Sequence, residues 1–158
     1  MATDELPALP KSVDVVVIGG GIIGVSTAYF LAKKGVSVLL CEKGVIAGEQ
    51  SSRNWGFVRQ QGRAPEELPL IMESLRIWRG IEKEIGDQVG FHQRGVIYTA
   101  KNNRDLEEFE NFYEIAKQHQ LDTKILSAAE LKQLVPGIAV NVTAALHTPS
   151  DGRAEPRM

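Results

Sequence analysis

Three glycines and one acid are the residues of this sequence whose spacing carries chemistry. Gly19, Gly21 and Gly24 form G-x-G-x-x-G, and Glu42 follows eighteen residues after the last of them. A main-chain corner without Cβ atoms can approach an anion closely. A helix that starts there aims unpaired N–H groups and its positive dipole end at the same anion. The three glycines serve different ends. Gly19 permits the tight turn, Gly21 bares the backbone to a diphosphate, and Gly24 lets helix and strand pack closely. The backbone of Ile22 and Ile23 belongs to the same candidate set. Glu42 offers a carboxylate to a ribose diol and would repel a 2′-phosphate, which argues against NADP. Lys43 lies either beside the ribose or adenine or in solvent. The fingerprint alone does not separate FAD from NAD, and its bland alternative is a glycine-rich turn that holds nothing.

The elements needed to position these residues are legible on either side. Val13 to Ile18 is a β-branched run of the kind buried on both faces of a parallel sheet. Ile22 to Lys34 reads as a helix that is apolar nearly all round, with lysines in its last turn and Gly35 as its stop. Val36 to Cys41 reads as the second strand, with Cys41 a small buried residue on it. Strand, turn, helix and strand within about thirty residues make a βαβ unit.

Downstream, Ala47 to Ala64 lacks an apolar period and reads as a long loop. A helix resumes near Glu66, with Pro69 confined to its first turn and Gly86 at its end. Arg94 to Ala100 reads as a strand, and the helix after it is capped by Asn102 or Asn103. A short strand, Thr123 to Leu126, leads to Ser127 and Glu130, which have capping-box spacing before a helix that stops at Pro136-Gly137. Val142 to His147 is the last predicted strand.

The segment Gly48-Glu49-Gln50-Ser51-Ser52-Arg53-Asn54-Trp55-Gly56 is rich in hydrogen-bond donors able to surround a diphosphate, and its glycine turn can pass close to a planar ring. Taken with Val17-Ile18-Gly19-Gly20-Gly21-Ile22-Ile23-Gly24 and Glu42, this loop resembles the FAD-dependent D-amino acid oxidase/dehydrogenase family. That group includes glycine oxidase, sarcosine oxidase and D-amino acid dehydrogenases. Arg94 to Ala100, Ser127 to Pro136 and Thr148 to Gly152 extend the likeness over nearly the whole chain.

The resemblance implies an α/β fold: the N-terminal part of a Rossmann-like FAD-binding domain, then the beginning of a mixed-sheet α+β substrate domain. Residues 1–90 would bind FAD, 91–147 would start the substrate domain, and 148–158 would form a return segment that breaks off. Gly19, Gly21, Ile22, Ile23, Gly24, Glu42, Lys43, Gln50, Ser51, Ser52, Arg53, Asn54 and Gly56 would be the cofactor contacts, with Asn54 to Gly56 near the isoalloxazine. Some members attach the flavin covalently through a histidine in this loop, which holds none here, or through a cysteine far downstream, in a region not present, so non-covalent FAD is implied. The implied reaction is oxidation of a D-amino acid or secondary amine by hydride transfer to flavin N5, with no obligatory side-chain base. The substrate-gripping residues are expected beyond the segments present.

Other signals are weaker. Arg59, Gln60, Gln61 and Arg63 form a polar cluster that reads first as a solvated loop and second as a pocket lining. His92, His119 and His147 lack metal-ligand spacing, and Tyr98 reads as core. A net charge of −2, with no basic stretch, removes the electrostatic basis for nucleic-acid binding. One cysteine excludes an intrachain disulfide. Met1 to Lys11 has neither the basic nor the apolar region of a secretory signal, so a cytoplasmic protein is the default expectation. Two rival readings remain: a dinucleotide-binding module that needs a partner subunit, and a non-catalytic remnant that self-associates through open sheet edges.

Overall fold

The computed structural model describes residues 9–139 and 141–157, so most of the N-terminal stretch Met1 to Lys11 lies outside the described residues. The chain divides into two compact units, Met1–Asn54 and Trp55–Met158.

In the first unit, strand β1 (Val15–Ile18) leads through the glycines into helix α1 (Ile22–Lys33) and back to strand β2 (Val38–Cys41). The strands run parallel, in register from Val15 opposite Val38 to Ile18 opposite Cys41. The helix stops where expected. Gly35, at φ +80°, donates to the Ala32 carbonyl at 2.9 Å and Val36 donates to Leu31 at 3.1 Å, so the last carbonyls are satisfied by a left-handed turn. Val36 and Ser37 therefore close the helix rather than open the strand. The strand starts are clamped together: Ser37 donates from both its backbone N–H (3.0 Å) and its hydroxyl (2.5 Å) to Asp14 Oδ2, while Asp14 N–H donates to Ser37 Oγ at 2.9 Å.

Two expectations are corrected here. β1 is not buried on both faces, since Val16 is 53% and Ile18 88% exposed. Cys41 is exposed as well. The cause is layer count: α1 packs on one face of the β1–β2 sheet, where Val15 and Val17 are half-buried, and no described element of this unit covers the face that carries Val16 and Ile18. A β-branched run marks a strand fit for burial, and burial itself needs further layers.

The second unit is built on an antiparallel sheet in the order β5–β7–β6, where β5 is Val96–Ala100, β6 Lys124–Ser127 and β7 Ala144–Thr148. Helix α3 (Asn103–Gln118) lays Phe109, Phe112 and Ala116 on Ala100, Ala144 and Leu146 of that sheet. Its N-cap is Asn102, whose side chain accepts from Asp105 N–H at 3.0 Å. The capping box before α4 (Ala128–Leu134) is complete, with Ser127 and Glu130 bonded reciprocally. Helix α2 (Leu68–Ile85) carries Pro69 in its first turn and ends at Gly86, in the left-handed conformation at φ +72°. Three two-residue strands complete the unit. β8 (Gly152–Arg153) pairs antiparallel with β3 (Phe57–Val58) on one side and β4 (His92–Gln93) on the other.

Candidate functional site

The glycine corner in the first unit is tightly bonded and open to an anion. Gly19 has φ +106°, a conformation that glycine alone adopts freely, and its N–H donates to the Cys41 carbonyl at 2.7 Å. A Cβ at Gly24 would collide with the carbonyl oxygen of Gly19, so the helix lies against the strand only because Gly24 has none. At Gly21 a Cβ would meet only Ser51 Oγ, at 3.1 Å.

Glu42 points into this corner. Its Oε2 accepts from Gly20 N–H at 2.6 Å and its Oε1 from Gly44 N–H at 2.8 Å. Those two bonds, the Gly20 one foremost, hold the carboxyl below the usual glutamate range, so it is ionised at neutral pH. An ionised carboxylate offers about four lone-pair positions, and the two remaining can accept from a diol. The sequence reading missed Gly20 and Ala47. The Gly20 carbonyl accepts from Ala47 N–H at 2.9 Å, and Ala47 adopts φ +57° to make that bond. A Cβ at Gly20 would come within 2.5 Å of Ile46 Cδ1. A fourth glycine, between the fingerprint positions Gly19 and Gly21, was the visible signal for Gly20.

The loop comes back to the helix start. Residues Gln50–Ser52 form one 3₁₀ turn, and Ser51 Oγ accepts from Ile22 N–H at 2.8 Å. Ser52 is turned inward, its hydroxyl donating to Glu49 O at 3.2 Å. Arg53 pairs with Glu49 at 3.2 Å on the surface, and Asn54 Nδ2 donates to Gln50 O (3.2 Å) and Ser51 O (2.8 Å). Lys43 and the side chains of Ile22 and Ile23 are exposed. The N–H groups of Gly21, Ile23 and Gly24 find no acceptor among the described residues. Three orphan donors at a helix start, beside a carboxylate with spare lone pairs, suit a diphosphate joined to a ribose.

Gly56 belongs to the second unit and has a local reason for being glycine: φ is +71°, and a Cβ would strike the Ala154 carbonyl. The polar cluster after it is not a solvated loop. Gln60 is 5% and Gln61 0% exposed, because Asp151, also 0% exposed, accepts both backbone N–H groups at 2.8 and 3.0 Å and the Gln60 amide at 3.2 Å. Burial raises the Asp151 carboxyl above its usual range against the opposing pull of those bonds. Thr148 Oγ1 donates to Gln61 Oε1 at 2.9 Å, and the Arg59 guanidinium lies 5.5 Å over the Tyr98 ring. Tyr98 packs against the core cluster, as its strand position suggested. Among the described residues no three His, Cys, Asp or Glu side chains gather as metal ligands, and no helix is long and apolar enough to cross a membrane.

Residues 14–158 match the family model described as "FAD dependent oxidoreductase". The chain belongs to that family. Human mitochondrial sarcosine dehydrogenase is 32% identical over 151 residues, which is 94% of this chain and 16% of that protein. Sarcosine oxidase subunit beta from an Arthrobacter species is 34% identical over 136 residues, 85% of this chain and 34% of the other. The structure of L-amino acid deaminase from Proteus myxofaciens in complex with anthranilate superposes with a TM-score of 0.88 at 33% identity, covering 94% of this chain and 34% of that one. The chain thus spans about a sixth to a third of the length of these relatives. Members of the family with this likeness share the mixed α/β fold, here with one parallel and two antiparallel sheets.

Proposed function

We propose that this chain supplies the nucleotide corner of a flavoenzyme whose full-length form oxidises an amino acid or a secondary amine, with FAD held non-covalently. The observation that carries the reading is the Glu42 carboxylate on Gly20 N–H at 2.6 Å, beside the free N–H groups at the start of α1. Gly21, Ile23 and Gly24 would hold the diphosphate through their backbone and Glu42 the ribose. Bound FAD would supply the hydride acceptor for a carbon attached to the substrate nitrogen. The chain's own part is to bind and orient the nucleotide half. The absence of histidine from residues 48–56 supports non-covalent attachment. Residues 1–90 are assigned to FAD binding, 91–147 to the start of the substrate domain and 148–158 to its return. The names of the relatives, which act on sarcosine and L-amino acids, favour an N-methyl or L-configured substrate over a D-amino acid.

A second reading, completion of the site by a partner chain or second copy, draws on the unpaired flanks of β1 and β2.

The test is the full-length protein itself. It is expected to be yellow, to release FAD on denaturation, and to bleach when mixed anaerobically with sarcosine, dimethylglycine, L-proline or an L-amino acid. A colourless protein that takes up no added FAD, or a flavin that neither these amines nor D-amino acids reduce, overturns the proposal.

A further inference from the structure

The main chain that leaves the loop of residues 48–56 is stitched along its length to one distant stretch. The Gly56 carbonyl accepts from Ala154 N–H at 2.8 Å, and Phe57 and Val58 pair with Arg153 and Gly152. Asp151 then takes the Gln60 and Gln61 N–H groups, one on each carboxylate oxygen, at 2.8 and 3.0 Å. The Gln61 side chain is held too, by the Thr148 hydroxyl at 2.9 Å, which meets Thr123 Oγ1 at 2.8 Å. The distant stretch is itself braced. Arg79 of α2 donates to the Ser150 carbonyl at 3.3 Å, Ser150 Oγ donates to Asp122 at 2.7 Å, and Gly95 N–H donates to the Asp151 carbonyl at 2.9 Å.

Asp151 is the unusual member of this set. It is fully buried, yet it forms no ion pair among the described residues. A buried carboxyl without a cation is a poor source of stability. What its two oxygens secure is geometry, since two consecutive N–H groups fixed on one carboxylate leave the backbone at 60–61 a single course. We infer that Asp151 is a positioning residue for amine oxidation, acting through the arm of residues 56–61 that it fixes. This rests on the flavoenzyme reading above, with Asn54 to Gly56 beside the flavin ring. Gln60 follows Gly56 by four residues, so the arm stays within about 14 Å of that glycine. Hydride transfer needs aligned atoms in contact, and a misplacement of about 1 Å costs on the order of a hundredfold in rate.

The test uses the full-length holoprotein, mixed anaerobically with whichever of sarcosine, dimethylglycine, L-proline and L-phenylalanine reduces the wild-type flavin fastest. Asp151→Asn keeps the side-chain size and one acceptor. It is expected to lower the limiting rate of flavin reduction about tenfold or more, with FAD affinity unchanged. Hydrogen exchange of the amides in residues 57–61, measured on the apoprotein well below its melting temperature, should rise in the same variant. Thr148→Val loosens the same arm through Gln61 and should also slow reduction, and the loss in the double variant should be smaller than the product of the single losses. Asn102→Ala, which weakens the α3 cap in the same unit, keeps the wild-type rate. A merely structural Asp151 would lower the melting temperature and leave the limiting rate alone. The inference is overturned if Asp151→Asn reduces at the wild-type rate, if Asn102→Ala slows as much, if the two arm losses multiply, or if FAD affinity falls in step with the rate. Should Asp151→Asn fail to fold, a wild-type rate in Thr148→Val overturns it alone. A wild-type flavin that neither these amines nor D-amino acids reduce overturns the underlying reading instead, and with it this inference.

Discussion

Replacing Gly24 by alanine asks α1 and β1 to share space that only one can occupy. The added Cβ would stand 1.8 Å from the Gly19 carbonyl oxygen and 3.0 Å from its carbon, whereas ordinary contact begins at 3.4 Å. The obstacle is main chain, so no side chain can swing away. To restore contact the helix start must withdraw by about 1.6 Å, which carries the N–H groups of Gly21 and Ile23 with it. Overpacking against a fixed neighbour costs about 1–3 kcal/mol, and this case belongs at the upper end. For a chain of 158 residues, about 3 kcal/mol corresponds to a fall in melting temperature of roughly 6–12 °C, and a longer full-length protein falls by less. Displaced donors also weaken diphosphate binding, by about tenfold for each hydrogen bond lost. The assay is paired: thermal unfolding of the apoprotein and FAD titration, both on the full-length protein. Gly35→Ala is the control, since a Cβ there meets nothing and only the φ of +80° is strained. It should cost about 1 kcal/mol and leave FAD affinity unchanged, because it lies at the other end of the helix. A Gly24→Ala protein with wild-type melting and wild-type affinity would refute the reasoning.

Other expectations follow from the same geometry. Glu42 has its folded pKa depressed below 4.5 by the Gly20 and Gly44 N–H groups, so its contribution is present above 4.5 and lost as pH falls through the depressed value. FAD retention followed by fluorescence should therefore persist at pH 5 and fail on further acidification, and Glu42→Gln should weaken FAD at neutral pH and flatten that acid limb. Asp151→Ala leaves the buried Gln60 and Gln61 N–H groups without their acceptor, at about 1–3 kcal/mol each, and chemical denaturation should read the sum. Asp151→Asn keeps one acceptor and turns an N–H₂ on the other donor, so it should recover only part of the loss. Asn102→Ala removes the α3 cap and should lower stability by about 1 kcal/mol without touching FAD affinity.

Local signals in the sequence proved sufficient wherever the physics is local. The capping box at Ser127 and Glu130, the Asn102 cap and the left-handed stops at Gly35 and Gly86 each involve residues a few positions apart, and each stands as read. So does the βαβ frame, whose parallel register follows from one crossover helix. What escaped the reading depends on distant partners. Asp14 interrupts an apolar run, yet its carboxylate clamps Ser37, twenty-three positions on. Gln60 and Gln61 read as solvated because glutamine usually is, but their acceptor lies about ninety residues downstream at Asp151. At the corner, the acid and the three glycines were legible from type and spacing. The different orientations of Ser51 and Ser52 were not, because adjacent residues of one type carry no sign of which way each hydroxyl turns.

The two units differ in what holds them folded. Every fully buried apolar side chain among the described residues, from Leu68 to Ala154, belongs to the second unit. In the first, Gly20 is the only buried residue described, and Val13, Val15, Val17, Leu39 and Leu40 are half-buried. A nucleotide held there, as proposed, would stabilise the fold by about 4 kcal/mol when present at a thousand times its dissociation constant.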